Sequence, residues 1–569
     1  MVWGTSSWAG KSLLATALCA WLHRQGLRVA PFKAQNMSNN ARVAEGGEIG
    51  AAQYFQALAA GVVPSVEHNP VLLKPEADTR SQVVVLGQVD RALTELPWRE
   101  RAEQLWPVVR DAYDRLAQRT DVVVIEGAGS PAEVNLADVD LANLRTARHA
   151  GAAALLVADI DRGGAFAHLY GTWALLDAAD RSRIAGFVLN RFRGDPGLLA
   201  PGPALLEELT GVPTIGVVPM VDHGLPDEDG ADPAPGPGSG RRVRVVRGPA
   251  ASNLDEWWPL REASEFRWAT VPAALDDAEL VVLPGSKLAV ADLAWLRATG
   301  MDSALVAAHQ RGVPILAVCG GAQILGEAIC DPQGVETGGR HAGLGLLPAT
   351  TTLGTTKKVQ RAKVRFRDDL APPWRALSGL EVEGYEIHFG STEHRPPCEP
   401  AFRDGSGMVC GPVLGAYVHG LCEDPHFLRA LAVAPPRRSL NEVFAGLADI
   451  AEQFLDVTAV RALLDGRGTG PSRSWRDRLQ GTGEPLEAPV VGDRQARLAG
   501  KAERGAVAHG DAMGEEELPK PARVGAEDEV GIRGLRSEAM SGQQADELDA
   551  LGGDATRPAR EVRPGEQLG

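Results

Sequence analysis

Residues 4–12 read GTSSWAGKS and lead directly into the apolar run 13–22, LLATALCAWL. Glycines allow successive backbone N–H groups to turn towards a phosphate, and a helix that starts at the loop adds the positive end of its dipole. Lys11 can then reach the terminal phosphates of a nucleotide, and the Ser12 hydroxyl can bind Mg²⁺. The residues predicted to bind nucleotide here are Gly4, Thr5, Gly10, Lys11 and Ser12. The stretch therefore predicts a phosphate-binding loop at the start of an α/β domain.

The loop is longer than the standard P-loop, because five residues separate its two glycines instead of four. This length resembles the dethiobiotin-synthetase-like branch of P-loop enzymes. Glu126, in VVVIEGAG, follows a buried strand, at the edge where open parallel sheets bind their ligands. Its carboxylate could hold Mg²⁺ together with Ser12. Asn190, in GFVLNRFRGD, could bind the edge of an adenine, although an Asn at a strand end is often only a turn former.

Short apolar runs alternate with longer helical stretches in two regions, 1–223 and 241–464. The predicted strands are 29–32, 83–86, 122–125, 154–158, 186–189 and 214–218 in the first region, and 243–246, 280–283 and 315–318 in the second. Strands separated by helices indicate parallel sheets covered on both faces, so we expect two α/β domains, the first doubly wound. Residues 224–240 are rich in Pro, Gly and Asp and are predicted to be a linker.

The last part of the chain, 465–569, is rich in Gly, Arg, Glu, Asp and Ala and nearly free of aromatic residues. It lacks the apolar periodicity that offsets ordering entropy, so we predict a disordered tail.

The chain as a whole has 569 residues and a net charge of -16, which argues against a protein that mainly binds nucleic acid. The sequence contains no run of about 18 apolar residues, so no membrane span is predicted, and we expect a cytoplasmic protein.

A second motif that could carry catalytic chemistry lies at 314–326, PILAVCGGAQILG. An apolar strand ends at Val318, Cys319 follows, and two glycines begin a helix, which is the pattern of a nucleophile elbow. The helix dipole and a nearby imidazole favour a thiolate there. His419, in GAYVHGL after another apolar run, is the candidate imidazole. A lone buried Cys is more often inert, but the Gly-Gly context favours a nucleophile.

The segment LPGS, which contains Gly285, follows another predicted strand. The backbone N–H of the Gly285 region can therefore be directed at an oxyanion beside the N–H of Gly320. The other five cysteines have no such setting, and no C-x-x-C pair suggests a zinc site or a disulfide framework.

Several further motifs occur in a fixed order along the chain: APFKAQNMSNNA, NPVLLKP, IEGAGSPAEVNL, ADIDRGG, CGGAQILG, GYEIHFGST and AYVHGL. Together with the phosphate loop they resemble the glutamine-dependent cobyric acid synthases over about residues 1–464. The resemblance implies an enzyme of cobalamin biosynthesis that amidates carboxylates b, d, e and g of adenosylcobyrinic acid a,c-diamide. ATP and L-glutamine would be its other substrates. The first region would be an ATP-dependent amidoligase, and the second a class I type, flavodoxin-like glutamine amidotransferase.

The resemblance also implies roles for the candidate residues. Cys319 would attack the glutamine amide, His419 would transfer protons, and the amides of Gly285 and Gly320 would form the oxyanion hole. ATP would activate each corrin carboxylate as an acyl phosphate. We expect three polar residues after the predicted strand 29–32 to bind the polycarboxylate substrate: Lys33, Gln35 and Asn36. Ordinary solvation of a loop would also explain these residues.

The chain departs from the family pattern at several positions. Trp8 stands where the family usually has Asp, so we expect one polar contact to nucleotide or metal to be missing. The first strand is short, so we expect a start upstream of Met1. Leu421 stands where triad amidotransferases place Glu, so His419 needs another orienting partner, which the sequence does not identify. A catalytically impaired homologue and a cobyrinic acid a,c-diamide synthase remain as alternatives. A partition-type ATPase is disfavoured, because its signature lysine is absent and no elbow domain is fused to such proteins.

Overall fold

The computed structural model describes residues 1–77, 79–226, 238 and 240–464, all within one compact unit, Met1–Pro489. Most of the predicted linker 224–240 and all of the predicted tail 465–569 lie outside the described residues. None of the described helices is long and apolar enough to cross a membrane.

The first half contains twelve strands and eight α-helices within its described residues. The strands are β1 (Val2–Gly4), β2 (Val29–Phe32), β3 (Gln35–Met37), β4 (Ala41–Ala44), β5 (Gly47–Gly50), β6 (Val71–Ala77), β7 (Arg80–Val85), β8 (Gln88–Asp90), β9 (Val122–Ile125), β10 (Ala154–Asp159), β11 (Ile184–Phe192) and β12 (Thr214–Pro219). The helices are α1 (Lys11–Arg24), α2 (Ala51–Ala59), α3 (Arg91–Glu95), α4 (Trp98–Arg119), α5 (Thr146–Ala150), α6 (Ala165–Leu175), α7 (Ala178–Arg181) and α8 (Gly202–Thr210).

A parallel sheet with the order β1-β10-β11-β12 forms the centre of this half. The parallel pair β2-β9 continues it on the other side of β1, through a bridge between Val2 and Glu126. Alternate side chains of β10 enter different cores: Leu155 lies in the core that includes α1, and Leu156 in the core that includes α6. The predicted doubly wound α/β fold is therefore confirmed.

The strand predicted at 83–86 was wrongly placed in the parallel sheet. It is β7, which belongs to a separate sheet with the order β3-β6-β7-β8 and pairs antiparallel with both of its neighbours. Leu86 and Gly87 connect β7 to β8, and both have positive φ angles, 45° and 78°. Positive φ at both central residues is the geometry of a two-residue hairpin turn, which forces the next strand to return antiparallel.

The second half contains another twelve strands within its described residues, and seven helices follow the first eight. The strands are β13 (Arg242–Val246), β14 (Ala251–Ser252), β15 (Glu265–Ala269), β16 (Leu280–Leu283), β17 (Gly285–Ser286), β18 (Ile315–Val318), β19 (Ala328–Asp331), β20 (Gly339–Ala342), β21 (Ala349–Arg365), β22 (Glu381–His394), β23 (Met408–Cys410) and β24 (Val413–Ala416). The helices are α9 (Trp258–Ala263), α10 (Ala289–Thr299), α11 (Met301–Gln310), α12 (Gly320–Leu325), α13 (Pro425–Ala430), α14 (Leu440–Phe454) and α15 (Val457–Leu464).

The main sheet of the second half has the order β15-β13-β16-β18-β24-β23, and only β23 runs antiparallel to its neighbour. This confirms the second predicted α/β domain. The long antiparallel hairpin of β21 and β22 was not predicted. Tyr385 and Ile387 on β22 are buried in one cluster with Ala41 and Val43 on β4, so the hairpin packs against the first half.

The helices α14 and α15, which follow the main sheet of the second half in sequence, pack against the first half. Helix α14 begins with a capping box in which the Ser439 hydroxyl and the Glu442 carboxylate each accept the other residue's backbone N–H. Phe444 and Leu447 on its apolar face are buried in the same core as α1. The last two helices therefore connect the two halves.

This packing predicts the effect of shortening Leu447, which is fully buried. We expect Leu447→Ala to lower the free energy of unfolding by about 2 to 5 kcal/mol, because burial is lost and a cavity is left. Leu205→Ala is the matched control, since Leu205 is 51% exposed on α8. Denaturation in guanidinium chloride measures both variants. Equal effects would contradict the buried position of α14.

Candidate active sites

The phosphate loop joins β1 to α1, and the amide side chain of Asn190 is hydrogen-bonded to its backbone. Gly10 has a φ of 102°, in the left-handed region that favours glycine. The Asn190 side chain donates to the carbonyl of Ala9 at 3.0 Å, and a Cβ at Gly10 would lie 1.9 Å from the same amide nitrogen. The backbone N–H of Thr5 donates to Val157 at 2.9 Å. The side chain of Asn190, the residue expected at an adenine edge, is thus hydrogen-bonded to the backbone of the loop.

Lys11 and Ser12 occupy the positions expected of a phosphate-binding lysine and a metal-binding hydroxyl. Lys11 is buried, and its Nζ donates to the carbonyls of Ser6 at 2.9 Å and Gly129 at 3.0 Å. The Ser12 hydroxyl donates to Oε1 of Glu126 at 2.9 Å. The loop and the end of β9 therefore meet, as the sequence predicted.

Glu126 is buried within a set of four donors. Besides Ser12, its carboxylate accepts from Lys33 at 2.8 Å, from Gln56 at 2.5 Å and from Gln53 at 3.5 Å. Burial alone would favour the protonated form, but the Lys33 ammonium group and these hydrogen bonds hold the pKa of Glu126 below its ordinary value. The site thus maintains a buried carboxylate in its charged form.

Of the three residues expected to bind the corrin substrate, Lys33 and Asn36 lie near this carboxylate. Lys33 contacts Glu126 directly, and the Asn36 side chain donates to Gln53 at 3.1 Å. Gln35 is half-buried at the start of β3. Gln53 and Gln56, both on α2, were not predicted as part of the site.

The donor set near the phosphate loop fits Mg²⁺ as it is usually bound to nucleotides. A hydroxyl and a single carboxylate lie side by side, and Mg²⁺ commonly takes one or two carboxylates and completes its shell with phosphates and water. Among the described residues no group of three or more His, Cys, Asp or Glu side chains could hold a metal ion alone. A metal ion held by Ser12 and Glu126 would leave positions open for phosphate oxygens and water.

Cys319 sits in the strained turn that its sequence context predicted. Its φ of 52° and ψ of -113° are unusual for a residue with a side chain, and they place it between β18 and α12. A Cβ on Gly320 would lie 2.7 Å from the backbone N of Ser286, and one on Gly321 would lie 2.3 Å from the carbonyl of Leu283. Only glycines allow this approach, so they fix the elbow against the LPGS segment.

His419 is buried, and its ring is oriented by a carboxylate from a distant part of the sequence. Its Nδ1 lies 2.8 Å from Oε1 of Glu256, while Oε2 of Glu256 accepts from the backbone N–H of Gly420 at 2.6 Å. Burial alone would lower the pKa of His419, but the Glu256 carboxylate and the Cys319 thiol raise it to about 10.

The structure brings the remaining predicted residues to the same place. A Cβ on Gly285 would lie 2.9 Å from Cε1 of His419, and the elbow at Gly320 touches Ser286. The Cys319 thiol is 3.7 Å from the carbonyl of Ile387. A buried thiol, an imidazole paired with a carboxylate and adjacent glycine backbone can together perform nucleophilic attack on an amide.

Glu256 is the residue that sequence reasoning missed. It lies in NLDEWWPL, on a short 3₁₀ turn, Leu254–Trp257, far from His419 in sequence. Two adjacent acidic residues in an otherwise apolar stretch are a signal, because Asp and Glu are rarely buried without a partner. The signal does not name the partner, which only the fold provides.

Comparisons with known proteins agree with this division into two sites. Residues 1–225 match the CobQ/CobB/MinD/ParA nucleotide binding domain, and residues 242–427 match the CobB/CobQ-like glutamine amidotransferase domain. A cobyric acid synthase from Polaromonas sp. is 51% identical and covers 82% of this chain and 98% of its own length. One from Leptothrix cholodnii is 55% identical, with coverages of 82% and 96%.

The chain belongs to the cobyric acid synthase family. Both domains of a cobyric acid synthase are present, and the match runs over nearly the full length of these relatives. A nucleotide-binding half and a glutamine amidotransferase half make it an ATP-dependent, glutamine-hydrolysing amide ligase. Cobyrinic acid a,c-diamide synthase, the alternative with the same two domain types, is not the name that these relatives carry.

The pair of His419 and Glu256 predicts a pH-dependent contribution to stability. The pKa of His419 is raised to about 10 in the folded chain, against about 6.5 in an unfolded one. The folded state therefore binds the proton more tightly, so the stabilisation is fully present below about pH 6.5 and is lost as the pH rises towards 10. We expect the loss of unfolding free energy in Glu256→Gln to be largest near pH 6 and to shrink towards pH 10.

Urea denaturation across this pH range measures the difference between wild type and variant. Glu327→Gln is the matched control, because Glu327 pairs with Arg395 at the surface and no histidine is involved. Its effect should stay nearly constant over the range. A Glu256→Gln effect that grows with pH would show that the imidazole is not protonated in the fold.

Proposed function

We propose that this cobyric acid synthase uses ATP and L-glutamine to amidate carboxylates b, d, e and g of adenosylcobyrinic acid a,c-diamide. Glutamine is hydrolysed at Cys319, and the ammonia attacks a corrin carboxylate that has been activated at the phosphate loop. The observation that carries the proposal is the presence of both arrangements in one compact unit. One is a strained thiol beside a carboxylate-paired imidazole, and the other is a phosphate loop beside a buried charged carboxylate.

Glutamine hydrolysis begins with attack of the Cys319 thiolate on the side-chain amide carbon. The tetrahedral oxyanion is stabilised by backbone N–H groups of the Gly285 and Gly320 segments. His419 gives its Nε2 proton to the departing nitrogen, so that ammonia leaves and a thioester remains. Water then attacks the thioester carbon as His419 accepts a proton from it, the C–S bond breaks, and glutamate leaves while the Cys319 thiolate is regenerated. Glu256 keeps Nδ1 protonated, which directs Nε2 to the reacting atoms.

The ligase step must activate the corrin carboxylate, because oxide is too poor a leaving group for direct attack by ammonia. The carboxylate oxygen attacks the γ-phosphorus of ATP, giving an acyl phosphate and ADP. Ammonia then attacks the acyl carbon, and phosphate leaves as the amide forms. Gly4, Thr5 and Gly10 shape the loop around the phosphates, which Lys11 contacts, while Asn190 holds the loop in place.

Ser12 and Glu126 are the residues that would hold Mg²⁺ with the nucleotide. The metal supplies positive charge against the phosphate oxygens when bound. Lys33 lies on Glu126 in this structure, and it carries a positive charge that can reach a substrate carboxylate. Gln35 and Asn36 follow it on β3 and offer amide groups to the same polycarboxylate.

The nitrogen source separates the two sites experimentally. We expect Cys319→Ala to lose glutamine-dependent amidation almost completely, because no thioester can form, and to retain amidation with ammonium salts within about twofold. Cys330→Ala is the control, since Cys330 lies outside the elbow on β19. Mass spectrometry of the corrin product counts the amides. Glutamine-dependent product from Cys319→Ala would refute the assignment of the nucleophile.

Removal of the buried carboxylate should affect the other site. We expect Glu126→Gln to reduce amidation by about a hundredfold or more with either nitrogen source, because the site loses the carboxylate that would hold Mg²⁺ against the phosphates. The surface variant Glu103→Gln, which breaks an exposed pair with Arg145, is the control and should leave amidation unchanged with both nitrogen sources. A wild type that makes no product even with ammonium salts would instead identify a catalytically impaired homologue.

A further inference from the structure

Arg42 lies on β4 of the nucleotide-binding half but is buried against the glutaminase site. Its side chain is 2% exposed. Its Nε donates to Oδ2 of Asp255 at 2.6 Å, and its Nη1 lies 2.5 Å from Oε1 of Glu423. The first half thus inserts one fully charged group between two segments of the second half.

The segments that carry Asp255 and Glu423 both lie next to residues that position His419. Asp255 is the neighbour of Glu256, whose carboxylate lies 2.8 Å from Nδ1 of His419. Glu423 belongs to the short turn that begins after Gly420, whose N–H also donates to Glu256. The two carboxylates that bind Arg42 therefore fix the elements on either side of the imidazole.

The ring beneath the imidazole is in contact with the same arginine. The Tyr385 ring stacks on the His419 ring at 5.2 Å with an angle of 16° between their planes. The Arg42 guanidinium also lies over the Tyr385 ring, 5.1 Å from the ring centre. The arginine thus touches the stacked ring as well as the two carboxylates.

The backbone next to Arg42 adds two hydrogen bonds to the same region. The N–H of Ala41 donates to the Asn253 side chain at 3.2 Å, and the Asn40 side chain accepts from the N–H of Leu254 at 2.9 Å. Asn253 lies 3.4 Å from Nδ1 of His419 through its side-chain nitrogen. The segment that carries Glu256 is therefore docked on the first half by both side chain and backbone.

Arg42 is connected to the phosphate site by a short stretch of chain. Strand β4 pairs with β5, and α2 begins directly after β5. Phe55 on α2 places its ring 5.2 Å from the Arg42 guanidinium. Gln53 and Gln56, on the same helix, donate to Glu126. One helix and one hairpin thus join the carboxylate of the phosphate site to the imidazole of the thiol site.

We propose that Arg42 is a positioning residue for glutamine hydrolysis, supplied by the nucleotide-binding half, and that it couples His419 to the state of the Glu126 site. This inference rests on the proposed function. When nucleotide and metal engage Glu126, the donors on α2 must reorganise, and α2 and its hairpin carry Arg42. The placement of Glu256 and His419, and hence the rate of thioester formation, follows from the same movement.

The test uses the full chain with Arg42→Met and Arg42→Lys. Glutamine hydrolysis is measured with and without ATP, Mg²⁺ and the corrin substrate, and amidation is measured with ammonium chloride. We expect wild type to hydrolyse glutamine faster when the other substrates are present. Arg42→Met should lose this stimulation and lower kcat for glutamine by about tenfold or more. KM for glutamine should change little, because Arg42 orients the base and does not touch the substrate.

Arg42→Lys keeps the charge but cannot reach both carboxylates with one planar group, so we expect an intermediate kcat and partial stimulation. Lys357→Met is the matched control, because Lys357 makes a buried ion pair across the same interface with Glu48, and its ammonium group lies over the Phe389 ring. Ammonia-dependent amidation should remain within about twofold of wild type in both Arg42 variants.

Three outcomes would overturn the inference. One is an Arg42→Met enzyme with wild-type glutamine hydrolysis and stimulation. Another is an equal fall with both nitrogen sources, matched by Lys357→Met, which would make Arg42 a purely structural partner. The third is a wild type whose glutamine hydrolysis does not respond to the other substrates. Ammonia-dependent amidation by wild type tests the proposed function separately, so a failure of this inference can be distinguished from a failure of the proposed function.

Discussion

Charges buried between the two halves are the constraint on which the rest of the structure depends. Arg42 of the first half binds Asp255 of the second, and Glu48 of the first half binds both Lys74 and Lys357, which comes from the long hairpin. Breaking such a pair leaves an unpaired charge in an apolar surrounding, at a cost of about 3 to 5 kcal/mol. Glu48 has its pKa lowered to about 2 despite its burial, because two ammonium groups flank it. The halves are therefore held in one arrangement.

The two chemical sites follow from this arrangement. In the second half, Leu421 occupies the position from which triad amidotransferases orient their histidine, and Glu256 orients His419 from a different segment. That segment is itself fixed by the first half, through Asp255. The imidazole is thus built at the joint between the halves, and its geometry depends on both of them.

The sequence predicted what local patterns determine. The phosphate loop, Lys11, the elbow at Cys319 and most parallel strands lie where predicted, because glycine spacing and apolar runs act over a few residues. It did not predict features set by distant contacts: the partner of His419, the bracing of the loop by Asn190, and the packing of α14 on α1. The strand 83–86 was misplaced because the hairpin turn at Leu86 contains no Asn or Asp signal before its glycine. Burial of charge across an interface has no local pattern, so Arg42 carried no signal either.

The central claim is that both sites act within one compact unit, so that nitrogen released at Cys319 is delivered to the activated carboxylate of the same chain. The most direct test supplies the full chain with ATP, the corrin substrate and glutamine labelled with ¹⁵N in its amide, together with an equal concentration of unlabelled ammonium at neutral pH. Mass spectrometry then reads the isotope in each new amide. The account predicts that the new amides carry ¹⁵N with little dilution by the ammonium in solution. Dilution in proportion to free ammonium would contradict it, since the ammonia would then have passed through bulk solvent.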